Sequence, residues 1–94
     1  MPGYVIVESV ITDTERFEVY KRAAAPTVAA YGGRYLVRGG PLSVVEGSWE
    51  PRRLVVLEFD SVEKARQWIT SPEYQAVKPL RHGAAEFNVV LVEG

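Results

Sequence analysis

The stretch Tyr31–Gly40, Y-G-G-R-Y-L-V-R-G-G, decides how the chain is organised. Its first glycine pair ends a long helical pattern, since a left-handed residue at a helix terminus costs little only for glycine. The next five residues alternate as a strand, which puts Arg34, Leu36 and Arg38 on one face. The second glycine pair, followed by Pro41, breaks this strand in a turn or bulge. An arginine on a sheet face needs water, a carboxylate or a ligand, so this strand gives the first indication of a polar site.

Three further strands are predicted from runs of β-branched and apolar residues. They lie at Tyr4–Ile11, Arg53–Asp60 and Phe87–Val92. Leu42–Glu46 is a candidate continuation of the second strand beyond a bulge. In the first and third strands both faces are largely apolar, which is typical of central strands that are covered on two sides.

Three helices are predicted between these strands. Thr12 and Glu15 stand at capping-box spacing before a long amphipathic helix. Ser61 caps a second helix, and Ser71 precedes a proline that starts a third, short helix. The order is βαββαβ, which predicts an α+β, ferredoxin-like antiparallel sheet with helices on one face. We expect one domain that covers residues 1–94.

The second face of the predicted sheet is too apolar to stand in water. Exposed apolar patches of that size mark protein interfaces. Because the helices of so short a chain cover only one face, we expect two copies to pack sheet against sheet as a homodimer, closing a dimeric α/β barrel.

Composition narrows the function classes. The 94 residues carry a formal net charge of −1 without a basic excess, which argues against nucleic acid as the main partner. The absence of cysteine excludes disulfides, thiol catalysis and thiolate metal sites. No apolar run approaches the length of a membrane span, and the amino terminus does not have the pattern of a signal peptide. We expect a cytoplasmic protein without a membrane or nucleic-acid partner.

Three segments resemble the domain of unknown function 1330 family, and the similarity extends over nearly the whole chain. They are Y-G-G-R-Y-L-V-R-G-G, P-R-R-L-V-V-L-E-F-D-S-V-E-K-A and S-P-E-Y-Q-A-V-K-P-L-R. The resemblance implies membership of the dimeric α/β-barrel superfamily, which includes cofactor-free monooxygenases, muconolactone isomerase-like enzymes and haem-handling proteins. It implies no particular reaction.

Arg38 and Glu58 are the candidate catalytic residues. Their strands are neighbours in the predicted sheet, so the two side chains meet if they point to the same face. Arg38 would then fix a carboxylate or enolate, with Glu58 as general base. The alternative, which we favour, is a structural ion pair within an apolar layer.

Four further charged or titratable residues are candidate ligand-binding groups: Glu8, Arg34, Arg81 and His82. Glu8 lies in an apolar strand, where it would interact with Glu58, neutralise Arg34 or reach solvent at the dimer interface. His82 is the only histidine, and it either binds a ligand such as haem or complements a helix terminus. Arg81 beside it is the better anchor for an anion.

Aromatic side chains complete the candidate site. Tyr35 and Trp68 are assigned to ligand binding, and the alternative for Tyr35, which lies in a strand, is a position at the dimer interface. Three other tyrosines are candidates to line a pocket between the helices and the sheet with them: Tyr20, Tyr31 and Tyr74. Aromatic residues at helical spacing are more often part of the core. Two functions stay open. One is an enzyme for a small anionic or aromatic metabolite that uses no organic cofactor or metal, and the other is a non-catalytic homodimeric binding module.

Overall fold

The computed structural model describes residues 1–94 and shows four strands, three α-helices and one 3₁₀ turn. In chain order these are β1 (Gly3–Ile11), α1 (Thr14–Ala30), β2 (Arg34–Arg38), β3 (Arg53–Phe59), α2 (Val62–Ile69), α3 (Pro72–Val77), the 3₁₀ turn (Lys78–Arg81) and β4 (Ala85–Glu93). The strands form one antiparallel sheet in the order β2-β3-β1-β4. The predicted α+β, ferredoxin-like arrangement is therefore confirmed.

The helices start at side-chain caps, one of which differs from the prediction. Asp13, and not Thr12, caps α1, and its carboxylate accepts a hydrogen bond from the Arg16 backbone N–H at 3.1 Å. Ser61 and Ser71 cap α2 and α3 as predicted. Each hydroxyl accepts from a backbone N–H three residues later, which satisfies one of the unpaired donors of the first turn.

A β-bulge in β2 changes which way its arginines face. Arg34 and Tyr35 pair with β3 in regular register, but the register shifts before Val37, so Leu36 is the extra residue. Arg38 consequently lies opposite Val55, on the face that the helices cover. The expectation that Arg34, Leu36 and Arg38 share one face is wrong, because the bulge reverses the alternation between the two arginines.

The chain between β2 and β3 forms no strand. Gly39 adopts a positive φ of 71°, and its N–H donates to the Leu54 carbonyl at 2.8 Å. Beyond this bond the chain leaves the sheet, so the predicted strand at Leu42–Glu46 is wrong. This connection returns to the sheet at Trp49, whose indole Nε1–H donates to a carboxylate oxygen of Glu8 at 3.1 Å.

One hydrophobic core lies between the helices and the inner face of the sheet. Its most buried large side chains include Val5 of β1, Phe17 and Val28 of α1, and Phe59 of β3. The opposite, outer face of the sheet has no covering layer within the chain. Ile6 lies there between Val56 and Val90, and 54% of Val90 is exposed.

None of the helices combines the length and hydrophobicity needed to cross a lipid bilayer.

Candidate functional site

A cavity of about 310 Å³ lies between the inner face of the sheet and the helices. Hydrophobic side chains supply 14 of its 19 lining residues, so its interior suits an apolar or aromatic body. Val5, Val7 and Leu57 form the floor on the sheet, and Ala24 and Val28 of α1 lie on the opposite wall. The predicted pocket between helices and sheet is therefore present.

All charged side chains that line the cavity are cationic. They are Lys21, Arg38, Arg53, Lys78 and Arg81. Neither a carboxylate nor an imidazole belongs to the lining, and only Lys21 is paired, with 2.9 Å between its Nζ and the Oε1 of Glu18. Because four cations face one cavity without an anionic partner, the site is strongly electropositive.

Aromatic rings hold the three guanidinium groups in place. Each guanidinium carbon lies over the centre of a ring: Arg38 at 4.2 Å from Tyr35, Arg53 at 4.9 Å from Phe17, and Arg81 at 4.2 Å from Phe87. Stacking of this kind attracts the cation and leaves the edge of the guanidinium, with its N–H donors, free for a ligand. The cavity thus presents oriented donors for an oxyanion.

The charged form of Arg53 is disfavoured by burial and by a neighbouring cation. Burial lowers the pKa of Arg53, and the nearby positive charge of Arg38 lowers it further. Glu18 acts in the opposite direction with a smaller effect. An anion bound between Arg38 and Arg53 would relieve this repulsion, which makes the pair a suitable carboxylate site.

A second polar group in the cavity is a pair of buried tyrosines. The hydroxyl oxygens of Tyr20 and Tyr74 are 2.8 Å apart, and Nη1 of Arg81 donates to the Tyr74 oxygen at 3.1 Å. Only 8% of Tyr20 and 5% of Tyr74 are exposed. Burial raises the pKa of Tyr20 far above its ordinary value, and the neighbouring Tyr74 adds to the effect. The Tyr20 phenol is therefore a neutral donor at physiological pH.

Trp68 forms a fixed wall of the same cavity. Its indole Nε1–H donates to the Thr27 hydroxyl at 3.0 Å, and that hydroxyl donates to the Ala24 carbonyl at 2.6 Å. Its ring centre lies 4.4 Å from that of Tyr74. Of the predicted aromatic residues, Tyr20, Tyr35, Tyr74 and Trp68 line the cavity. Tyr31 does not, since its hydroxyl donates to Glu73 outside it.

Arg38 and Glu58 lie on opposite faces of the sheet. Glu58 pairs with Arg34 on the outer face, where Nε of Arg34 donates to its carboxylate at 2.7 Å. That hydrogen bond is the main reason why the pKa of Glu58 is lowered. The structure therefore does not support a joint Arg38–Glu58 site. Of the two, only Arg38 reaches the cavity, and Glu58 forms a structural ion pair with Arg34.

Glu8 is also on the outer face, and it meets neither of its predicted partners. It lies opposite Leu54 whereas Glu58 lies opposite Tyr4, four residues and about 13 Å further along β1. Its carboxylate accepts hydrogen bonds from Trp49 and, at 3.1 Å, from Asn88. The predicted interactions of Glu8 with Glu58 or with Arg34 are therefore wrong.

His82 lies outside the cavity. It is exposed and borders a shallow depression together with Arg16 and Pro79. No group of three or more side chains of metal-ligating type occurs in the structure. Arg81, next to it in sequence, lines the cavity instead. This position agrees with the choice of Arg81 over His82 as the anchor for an anion.

Sequence reasoning missed Arg53, which lies near Arg38 on the inner face of the sheet. The signal was present, since Arg53, Val55, Leu57 and Phe59 alternate along β3 and so share the buried face. The two lysines of the lining, Lys21 and Lys78, had no comparable signal because helix-surface lysines usually face water.

Comparisons with known proteins agree with this fold. A protein of unknown function from Rhodopseudomonas palustris superposes with a TM-score of 0.77 at 17% identity, covering 99% of this chain and 82% of that chain. A dimeric ferredoxin-like protein of unknown function from Thermobifida fusca superposes with a TM-score of 0.65 at 18% identity, covering 100% of this chain and 92% of that chain. SnoaB, a cofactor-independent oxygenase from Streptomyces nogalater, superposes with a TM-score of 0.66 at 12% identity, covering 99% of this chain and 92% of that chain.

At these identities the structural similarity shows the fold alone. No curated protein matches the chain in sequence. The family model described as "Domain of unknown function (DUF1330)" matches residues 2–94. The chain therefore belongs to the DUF1330 family.

Proposed function

We propose that this protein binds a small anionic metabolite with an apolar or aromatic body in the cavity between its sheet and helices. The observation that carries the proposal is the lining itself, which combines 14 hydrophobic residues with five cationic and no acidic ones. A structural ion-pair network would place carboxylates beside the guanidinium groups, as Glu58 lies beside Arg34 on the other face. An anionic ligand supplies the missing partner.

The lining favours binding or oxyanion stabilisation over proton abstraction. A general base at neutral pH is usually a carboxylate or an imidazole, and neither lines the cavity. Oriented guanidinium and phenol donors suit an enolate or carboxylate, because preorganised donors stabilise negative charge. If the protein is an enzyme, its side chains thus act on a developing negative charge. The alternative is a homodimeric module that binds the same anion without turnover.

Fluorescence of Trp68 provides a direct test of anion binding. Trp49→Phe leaves Trp68 as the single tryptophan of the chain, inside the cavity. The probes are 4-isopropylbenzoate and its neutral analogue 4-isopropylbenzamide. We expect the benzoate to bind about tenfold more tightly or better, since hydrogen bonds to charged groups contribute about 1.5–3 kcal/mol.

Charge-removing variants locate the anion. Arg38→Gln and Arg53→Gln should each weaken benzoate binding about tenfold and leave benzamide binding nearly unchanged. Arg22→Gln is the matched control, because Arg22 is an exposed arginine of α1 that does not line the cavity. Equal affinity for benzoate and benzamide, or an Arg22→Gln effect as large as the other two, would refute the proposal.

We also propose that two copies of the chain pack through their outer sheet faces. Ile6, Val56 and Val90 form a continuous apolar row on this face, and no element of the chain covers it. On this face Arg34 and Glu58 form an ion pair, and Glu8 accepts hydrogen bonds from Trp49 and Asn88. These groups keep their polar partners when the face packs against an identical one. The related Thermobifida fusca fold is described as dimeric, which supports this arrangement.

A further inference from the structure

The hydroxyl pair at the end of the cavity contains one more hydrogen-bond donor than the protein can use. Tyr20 and Tyr74 carry two O–H groups, but a single hydrogen bond joins them. Neither hydroxyl has another protein acceptor, because the only other contact is a donation from Arg81 to Tyr74. Whichever phenol donates to the other, one hydroxyl hydrogen is left without an acceptor in a buried part of the cavity wall.

The position of Arg81 indicates which hydrogen is free. The Tyr74 oxygen already accepts from a cation, which makes its own O–H a better donor. Tyr74 then donates to Tyr20, and the free hydrogen belongs to Tyr20. A buried donor without an acceptor costs about 1–3 kcal/mol, so the occupied site should supply an acceptor at this point.

We infer that the ligand carries, besides its anionic group, a separate keto, enolate or phenolate oxygen that accepts a hydrogen bond from the Tyr20–Tyr74 pair. This inference rests on the proposed function and narrows its ligand class to oxo acids, their enolates and carboxylated phenolates. The anionic group lies with Arg38 and Arg53, and the second oxygen lies at the phenols. Tyr20 and Tyr74 are then specificity-determining residues for that oxygen.

Pairs of benzoates that differ only in the acceptor test this inference. The 2-, 3- and 4-acetylbenzoates carry a ketone, and the corresponding isopropenylbenzoates replace the ketone oxygen by a CH₂ group of similar shape. Using three positional isomers removes dependence on one distance between the carboxylate and the ketone. At least one acetyl isomer should bind about fivefold or more tightly than its isopropenyl counterpart in the Trp68 fluorescence titration.

Phenylalanine variants distinguish the hydroxyl pair from a general effect of polarity. Each of Tyr20→Phe and Tyr74→Phe leaves one phenol with a free hydrogen, so the acetyl preference should survive in at least one of them. It should disappear in the double variant, because no phenol hydrogen remains there. The double variant should still fold, since replacing both partners of a hydrogen bond by apolar groups is nearly neutral for stability. Tyr31→Phe, which removes a phenol outside the cavity, should leave the preference intact.

The outcomes separate this inference from the proposed function. If benzoates bind better than benzamides but no acetyl isomer is preferred, the inference is wrong while the anion site stands. The inference is also wrong if the acetyl preference persists in the Tyr20→Phe/Tyr74→Phe double variant, or if Tyr35→Phe alone removes it. Either result would mean that another group donates to the ketone. If charge makes no difference to binding, the proposed function fails first.

Discussion

At the scale of single residues, the cavity contains one guanidinium, that of Arg53, whose charged form is disfavoured by its surroundings. Arg53 is partly buried beside Arg38, and both burial and the neighbouring charge lower its pKa. No carboxylate pairs with either guanidinium. Groups that lower stability and have no structural partner are characteristic of binding sites, where the ligand supplies the compensation.

Replacing Arg53 by methionine should therefore separate stability from binding. Methionine keeps most of the packing on Phe17 but removes the charge. We expect the free energy of unfolding of Arg53→Met, measured in urea, to exceed that of wild type by about 0.5 kcal/mol or more. The variant should bind 4-isopropylbenzoate about tenfold more weakly than wild type. Arg52→Met, at an exposed position, should change neither quantity. A large loss of stability in Arg53→Met would show that the charge supports the fold.

Tyr20 should make the free energy of unfolding decrease at alkaline pH. Its pKa in the unfolded chain is near 10.0, and burial raises the pKa in the folded protein far above that value. Above pH 10 the folded state therefore retains a proton that the unfolded state releases. The stabilisation is complete below pH 10 and declines as pH rises further, by about 1.4 kcal/mol per pH unit for this group.

The comparison with Tyr20→Phe isolates this contribution. Between pH 8 and pH 11 the free energy of unfolding should fall more steeply in wild type than in the variant. Tyr35, whose pKa burial also raises, contributes equally to both proteins. Parallel pH profiles in urea unfolding would contradict the assignment of Tyr20 as a buried neutral phenol.

At the scale of elements, local sequence patterns predicted which segments form strands and helices. They did not predict which side chains of β2 point to which face of the sheet. Alternation along β3 and the serines before α2 and α3 were sufficient to place those elements. In β2 the sequence R-Y-L-V-R reads as regular alternation, and nothing in it identifies Leu36 as the extra residue. The bulge is a property of pairing with β3, so it determines that Arg38 faces the cavity and that Arg34 meets Glu58.

The turn between α1 and β2 requires a glycine for space. A Cβ on Gly33 would lie 2.5 Å from the Phe59 ring and 2.8 Å from a methyl carbon of Val28. Both side chains are almost fully buried and cannot move away easily. Gly33→Ala should lower the free energy of unfolding by about 1–3 kcal/mol.

Gly40→Ala is the matched control for this substitution. A Cβ there has no atom within 4 Å, and its φ is not positive, so the change should stay within about 0.5 kcal/mol. Urea midpoints of the two variants give the comparison. Equal effects would mean that the close approach of Gly33 to Phe59 does not constrain this turn.

At the scale of the whole molecule, the two faces of the sheet differ in composition. The inner face carries the cavity and its cations, and the outer face carries an apolar row beside the Arg34–Glu58 ion pair. This division explains why Glu8 and Glu58 do not reach the cavity although their strands do. It also predicts that assembly and ligand binding can be altered independently.

A lysine on the outer face should disrupt the proposed homodimer. We expect wild type to sediment as a dimer and Val90→Lys as a monomer, because burying an unpaired charge in an apolar interface is costly. Val19→Lys is the control, since 50% of Val19 is exposed, as against 54% of Val90, but it lies on α1. A monomeric wild type, or a Val90→Lys variant that stays dimeric, would contradict a sheet-to-sheet dimer.

The most direct test of the central claim is a crystal structure of the protein with the acetylbenzoate isomer that binds most tightly. The account predicts density for the ligand inside the cavity, with its carboxylate within hydrogen-bond distance of Arg38 and Arg53 and its ketone oxygen at Tyr20 or Tyr74. A ligand bound elsewhere, or a cavity closed by Tyr20 and Trp68 while Arg38 pairs with a carboxylate of the protein, would contradict it.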